Sequence, residues 1–464
     1  MLRRPENTID STSDQSFIPG EEDYSKHVNP KWTKLLSIIG IKRQFTRCEG
    51  MNLHSSDGHT YRDFLSGYGV YNVGHNHPAL IRSLIEELEH RGPTMLQSHI
   101  PELAATLARK LTSLSGTHLT RTFFTSTGSE GVESSIKFAR AYTKRDGVLF
   151  SEGGFHGLTY GALSLMSNPW WKKGFGSTLP NTVGTPFGDL DALERQLKTE
   201  KFAAYITEPV QGESGILVPT KEFLREAQLL CQRYGTLFVL DEVQTGLYRT
   251  GKFLAAHHFD LEPDMVILAK AMSGGFVPVG ALVMRKEISD AVYSSVEKAF
   301  VHASTFGENS LGMRAALTTL QILEDEKLGE RALVLGDRLR EGINRIAERS
   351  EFIEECRGLG LMNGIEFTKP RSLSLKMLYA GFTTVHPGLL GQMIVKTLFE
   401  NHHILTQMCG HTYNVVKAVP PLVATEADID YFIEAVASLV DTMENTRAGF
   451  WSQGVKIGLR AVAG

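Results

Sequence analysis

Two short apolar runs constrain this chain more than anything else in it. Leu237–Leu240 stops at Asp241, and Met265–Ala269 stops at Lys270. A strand with one wet face would alternate apolar and polar residues. Runs apolar at every position, bounded by turn residues, read instead as strands covered on both faces, as in a parallel sheet. Parallel neighbours need a crossover of a dozen or more residues, and the spacing 270 − 241 = 29 leaves room for one. In open α/β sheets the ligand lies beyond the carboxyl ends of the strands. An Asp and a Lys should therefore face one crevice.

That pair is what pyridoxal phosphate requires of a protein: a lysine for the Schiff base and an acidic partner for the pyridine nitrogen. The surrounding residues extend the case. LDEVQTG occupies Leu240–Gly246, the AK step is Ala269–Lys270, and GGFVPVGA is Gly274–Ala281. On these motifs the chain resembles the class III aminotransferases (ornithine, acetylornithine and ω-amino-acid type), which are pyridoxal-phosphate enzymes with the aspartate-aminotransferase fold. The resemblance implies an α/β chain of fold type I, with a large, mainly parallel-sheet domain and a small α+β domain. Residues 1–74 should form an N-terminal arm and part of the small domain, 75–305 the large cofactor domain, and 306–464 the C-terminal small domain.

A second motif lies in Arg121–Arg140, RTFFTSTGSEGVESSIKFAR. Here a strand through Phe123 and Phe124 meets a Ser-Thr-Gly turn, then a helix with Val132, Ile136 and Ala139 inward. Glycine lets backbone approach an anion, and the free N–H groups of a helix start can hold a phosphate without lysine. Alone this turn is weak evidence; beside Lys270 the resemblance makes Gly128 and Ser129 the phosphate binders. The resemblance also implies that the ring of Phe155, next to His156, covers one face of the cofactor, with Val243 on the other face. Gln244 is expected at the ring's 3-oxygen. FAAYITEPVQGESG (Phe202–Gly215) is another buried strand, with Glu208 and Glu213 on the crevice side.

The resemblance further implies that Thr305 reaches the phosphate of a neighbouring subunit, which makes a homodimer with shared active sites. Glu308 and Ser310 depart from the family pattern, where Gly and Pro are usual. SGYGVYNVGHNHP (Ser66–Pro78) passes the mouth of the site, and Tyr68 and Tyr71 are candidate substrate contacts. His75 and His77 lack further ligands at metal spacing and read as structural, so no metal is expected. In VVKAVPPL (Val415–Leu422), Lys417 stands where the family carries an arginine that binds substrate carboxylate and pairs with the glutamate at the Glu213 position.

The remaining chain gives organisation. Residues 1 to about 23 read as a mobile polar arm, and Trp32, Leu35, Leu36 and Ile39 as one apolar helix face. Gly50–Phe64 reads as a hairpin turning at Asp57-Gly58. PWWKKGF (Pro169–Phe175) reads as a solvated basic loop, RGLGLMNGIEF (Arg357–Phe367) as a strand, and the 370s to 390s as an inserted helix and loop lining the substrate entrance. Helices are expected over Pro78–His90, from Pro101 to about Leu114, and from Leu311 to about Glu324.

Composition excludes other classes. Forty-eight basic against 52 acidic residues give a net charge of −4, with no electrostatic case for nucleic acid or an anionic membrane. Four scattered cysteines and the lack of a long apolar stretch or secretory centre suit a soluble cytoplasmic enzyme. Three readings compete. The first is an aminotransferase moving nitrogen from an amine to a terminal aldehyde or ketone. The second is other chemistry on the same cofactor, as in an aminomutase, racemase or decarboxylase. The third is a binding protein on an inactive scaffold. Lys417 in the arginine position favours an ω-amine or long-chain aldehyde lacking a nearby carboxylate, with a common amino acid as a weakly held donor.

Overall fold

Leu237–Asp241 and Met265–Leu268 lie side by side as parallel strands, with Asp241 opposite Ile267. They belong to a computed structural model that describes residues 18–96, 98–445 and 449–452. Both strands are buried at every position. At about 1.5–3 kcal/mol for each large aliphatic side chain fully buried, such runs are stable only in the middle of a covered sheet. They sit there. The sheet has seven strands in the order Arg121–Thr125, Gly280–Met284, Met265–Leu268, Leu237–Asp241, Phe202–Thr207, Gly147–Ser151, Thr182–Thr185. Every neighbouring pair is parallel except those made by Gly280–Met284, which runs antiparallel to both its neighbours.

The Gly128–Thr143 helix covers one face of the sheet with Val132, Ile136 and Ala139, as their spacing predicts. Its start is fixed by Thr127, whose hydroxyl accepts from Glu130 N–H at 3.2 Å, while Glu130 Oε2 accepts from Ser126 N–H at 2.8 Å. On the other side, Ser310–Asp325 packs on Pro78–His90 and Glu102–Ser115.

Two smaller sheets join distant parts of the chain. The hairpin of Asn52–Ser55 and Thr60–Asp63 turns at Asp57-Gly58, with Gly58 at φ +86°. Ile404–Leu405 adds to it in parallel, so residues from both ends share one sheet. A three-stranded sheet joins Ile353–Leu359, Met362–Phe367 and Val415–Ala418. The stretch Arg357–Phe367 is therefore two antiparallel strands, not one. Gly360, at φ +56°, reverses the chain inside what reads as an uninterrupted apolar run.

Arg249 ties these parts together. It is fully buried and donates to the carbonyls of Leu361 and Pro420, to Asn72 Oδ1 and to Ser66 Oγ. Burial pulls even its guanidinium down to about 9.

Other expectations change on inspection. The 370–395 region forms two helices, Leu373–Val385 and Leu389–His402, and contributes nothing to the wall of the main cavity. Leu375, Phe382, Leu389 and Met393 are buried in the core instead, so apolar packing sets this region's position. On the Pro30–Ile39 helix only Ile39 is buried; Trp32 and Leu35 stay exposed in the single chain. The expected arm at residues 1 to about 23 lies mostly outside the described residues; its last part forms the short helix Glu21–His27. No helix among the described residues is long and apolar enough to cross a membrane.

Candidate active site

The strand ends open into a cavity of about 470 Å³. Its wall takes in Gly128, Ser129, Phe155, His156, Glu208, Glu213, Asp241, Val243, Gln244 and Lys270. Ten residues singled out from sequence thus meet in one hollow, as the parallel-sheet argument requires. Tyr68, Tyr71, Thr305 and Lys417 stand outside that wall.

Asp241 is buried and spends both oxygens. Oδ2 accepts from His156 Nδ1 at 2.8 Å, and Oδ1 from Val243 N–H at 3.1 Å. Burial alone would lower the His156 pKa, but the hydrogen bond and charge of Asp241 outweigh it and hold it above the ordinary value. The pair is a charge-assisted bond in a dry place. That His156 serves Asp241 was not legible, since 85 positions separate them.

Lys270 follows its strand at φ +46°, a left-handed conformation that costs a non-glycine residue about 1–2 kcal/mol. Burial holds its amine below the ordinary lysine value, against the opposing pull of Glu213, Asp241 and Glu208. Glu208 accepts from Phe155 N–H at 2.8 Å and from Gly212 N–H at 3.0 Å. Burial, reinforced by Asp241 and opposed by His156, lifts its carboxyl to about 7. With both oxygens on backbone, Glu208 acts on the site by fixing Phe155.

Gly128 admits no side chain: a Cβ there would lie 2.8 Å from Val243 Cγ2. The helix start is thus pressed against the residue expected to flank the cofactor. Gln244 Nε2 donates to the carbonyl of Tyr68 at 3.0 Å. Ser66 to Gly69 are all left-handed, and Asp63 Oδ1 holds this turn by accepting from Leu65 and Ser66 N–H.

At the mouth, Lys417 forms an ion pair with Glu213 Oε1, and Glu213 Oε2 accepts from Gly410 N–H at 2.8 Å. Lys417 is fully buried, with its ammonium 4.7 Å from the centre of the Tyr68 ring. Burial pushes Glu213 up and Lys417 down, yet each partner more than restores the other, so Glu213 ends below and Lys417 above its ordinary value. Tyr71 stacks on His75 at 3.8 Å and packs on Gly275, behind the cavity wall. His75 also binds Asp63 at 2.8 Å, and His77 caps the Pro78–His90 helix. Thr305 lines a separate surface hollow with Thr122, Phe300 and Glu308.

Sequence reasoning placed Ser126 and Thr127 in the turn but gave them no binding role, and both complete the helix-start wall; it passed over Glu242. Glu242 is buried, accepts from Ala255 and Ala256 N–H, and is raised by burial to about 7. Its place directly after a buried strand was the available signal. Trp171, assigned to a solvated loop, turns inward against Phe155 at 5.5 Å. Packing its indole on Phe155 and Trp170 takes apolar ring surface out of water.

The residues fit pyridoxal phosphate. A helix start whose glycine admits no Cβ suits a phosphate. A buried Asp–His pair suits a pyridine nitrogen, and a buried lysine with lowered pKa suits an aldehyde carbon. His156 Nε2 is also buried without a partner in the same wall.

Comparison with known proteins agrees. Residues 40–440 match the family described as Aminotransferase class-III. Aminotransferase PigE of Serratia sp. (strain ATCC 39006) is 32% identical over 92% of this chain, and the chain spans only 54% of that protein's length. The putrescine aminotransferase of Pectobacterium atrosepticum is 33% identical, covering 91% of this chain and 88% of its own. A solved ornithine aminotransferase from Toxoplasma gondii, described with partial occupancy of pyridoxal phosphate at its active site, superposes with a TM-score of 0.78. It is 30% identical over 87% of this chain and 92% of its own.

Proposed function

Because the chain belongs to the class III aminotransferases, a pyridoxal-phosphate family, we propose that it moves an amino group from an amine donor to a terminal aldehyde or ketone whose neighbourhood lacks a carboxylate. When bound, the cofactor supplies the electron sink that makes the substrate's C–H bond acidic. Lys270 would tether it, and its amine, whose proton affinity burial lowers, would carry a proton between the substrate and the cofactor. Asp241, oriented by His156, holds the proton on the ring nitrogen. The start of the Gly128–Thr143 helix, with Ser129, receives the phosphate. Phe155, fixed by Glu208, and Val243 would flank the ring, and Gln244 would supply a hydrogen bond to its 3-oxygen. A second copy of the chain completes the phosphate site through Thr305, so the working form is a homodimer. Four free cysteines suit a cytoplasmic setting.

One observation carries the substrate class: Lys417, buried under Tyr68, is already neutralised by Glu213. An ammonium bound this way is a poor carboxylate clamp beside a guanidinium fork. The test compares kcat/KM for a terminal amine and its ω-carboxylated analogue. The plain amine should win or draw. A carboxylated substrate ahead by more than about tenfold, ~1.4 kcal/mol, with the gap erased in Lys417→Ala, refutes the reading.

A further inference from the structure

Tyr68 and Tyr71 are the substrate contacts that the sequence favours, yet a residue between them is the one in the cavity wall. Val70 lines the hollow and is half-buried. The turn before it decides this. Ser66, Gly67, Tyr68 and Gly69 all have positive φ, and Val70 N–H donates back to the Ser66 carbonyl at 2.7 Å. That path sends the Tyr68 ring over Lys417 and the Tyr71 ring onto His75 and Gly275. A Cβ on Gly69 would touch Gln244 Cγ at 3.5 Å, so the turn lies beside the residue expected at the cofactor's 3-oxygen. On a pyridoxal ring that oxygen neighbours the aldehyde carbon, which puts Val70 on the substrate's side of the hollow.

The wall continues in the same character. Apart from Glu213 and Ser273, the side chains with no part in holding the cofactor are apolar, with Phe276, Val277 and Pro278 among them. Tyr71, packed on Gly275, joins that stretch to the Val70 turn. Charge in the wall is already committed. Asp241 gives its oxygens to His156 and Val243 N–H, and Glu208 to the N–H groups of Phe155 and Gly212. Glu213 gives its own to Lys417 and Gly410 N–H, while its carbonyl accepts from His411 N–H at 2.9 Å. A distal ammonium or carboxylate on the substrate would be buried against hydrocarbon without a free partner. A methylene gains by leaving water for the same surface.

We infer that Val70, with Phe276 and Val277, seats the hydrocarbon chain of an alkyl amine, and that Val70 sets the length of chain the cavity accepts. The inference rests on the terminal-amine reading above.

The test mixes the cofactor-loaded enzyme with one amine and follows the loss of its visible absorbance, which needs no acceptor. Unbranched monoamines from ethylamine to decylamine are compared with diamines and ω-amino acids of the same lengths. In the wild type the second-order rate constant should rise about threefold per methylene over the first several carbons, then level. n-Alkanols of these lengths, which cannot react, should inhibit with the same slope. Val70→Phe should move the levelling point about two carbons shorter, and Val70→Ala should move it longer. Damage to the fold would lower every length alike and leave that point in place. A wild type indifferent to chain length overturns the proposal, as does a levelling point that neither variant moves. Diamines ahead of monoamines by more than about tenfold overturn the apolar seat while sparing the terminal-amine reading. ω-Amino acids ahead by that margin overturn the terminal-amine reading itself.

Discussion

The floor and the mouth of this cavity are built on different terms. The floor holds Asp241, His156 and Lys270 at or beside the ends of buried strands, where sheet packing fixes each backbone. The mouth draws Tyr68, Glu213, His411 and Lys417 from three separated stretches, held by one ion pair and a left-handed turn. Both places hold a pair, Asp241 with His156 at the floor and Glu213 with Lys417 at the mouth, but only the floor pair lines the cavity with both members. On the function proposed above, chemistry falls to the part fixed by the sheet and discrimination to the part that can change without disturbing it.

Substitutions can break or sharpen that contrast. Lys270→Ala should lose at least about a thousandfold in kcat, ~4 kcal/mol of barrier, with an unchanged far-ultraviolet spectrum. Turnover within tenfold of wild type would remove Lys270 from its role. Asp241→Asn keeps the volume but takes the carboxylate from His156, and kcat should fall about a hundredfold, ~2.7 kcal/mol. Should kcat drop less than KM rises, the floor would be a binding feature only.

At the mouth, Lys417→Arg should shift the kcat/KM ratio toward a carboxylated substrate by about tenfold, ~1.4 kcal/mol. An unmoved ratio means the mouth does not select. Glu208 carries a pKa raised by burial to about 7 against 4.5 for an ordinary glutamate. The folded state therefore binds the extra proton, and this stability is lost as pH rises from about 4.5 through 7. In cofactor-free protein, Tm should decline across that window, and Glu208→Gln should flatten the slope by about half, since Glu242 contributes the same way. An identical slope in the variant would exclude Glu208 as a source. Tyr68→Phe is the mildest change: the ring over Lys417 and the backbone carbonyl bound by Gln244 both persist, so kcat/KM should move less than about twofold.

The floor was nearly all legible in sequence because its logic is local. An apolar run followed by Asp or Lys reports strand, burial and direction together, and the strand–Ser-Thr-Gly–helix turn reports a phosphate-sized cradle. Pairings across long separations were not legible. His156 with Asp241, Glu208 with the Phe155 backbone, and Trp171 with Phe155 depend on which strands are neighbours, and no residue pattern states that order. The single-strand reading of Arg357–Phe367 failed for a smaller reason: a reversal at Gly360 takes so few residues that the apolar pattern runs through it.

Arg249 also has a bearing on how the molecule is made. Its acceptors at Leu361 and Pro420 come 112 and 171 residues later in the chain. At ~5–20 residues per second on a ribosome, the second interval lasts roughly ten to thirty seconds. A guanidinium cannot leave water before its acceptors arrive without a penalty of several kcal/mol. Throughout that delay Arg249 lacks two of the acceptors that bury it in the finished fold. The two carbonyls that latch this loop beside Gln244 are thus the last of its partners to be made, so a chain cut short before Pro420 would leave Arg249 with a lost acceptor beside the cavity.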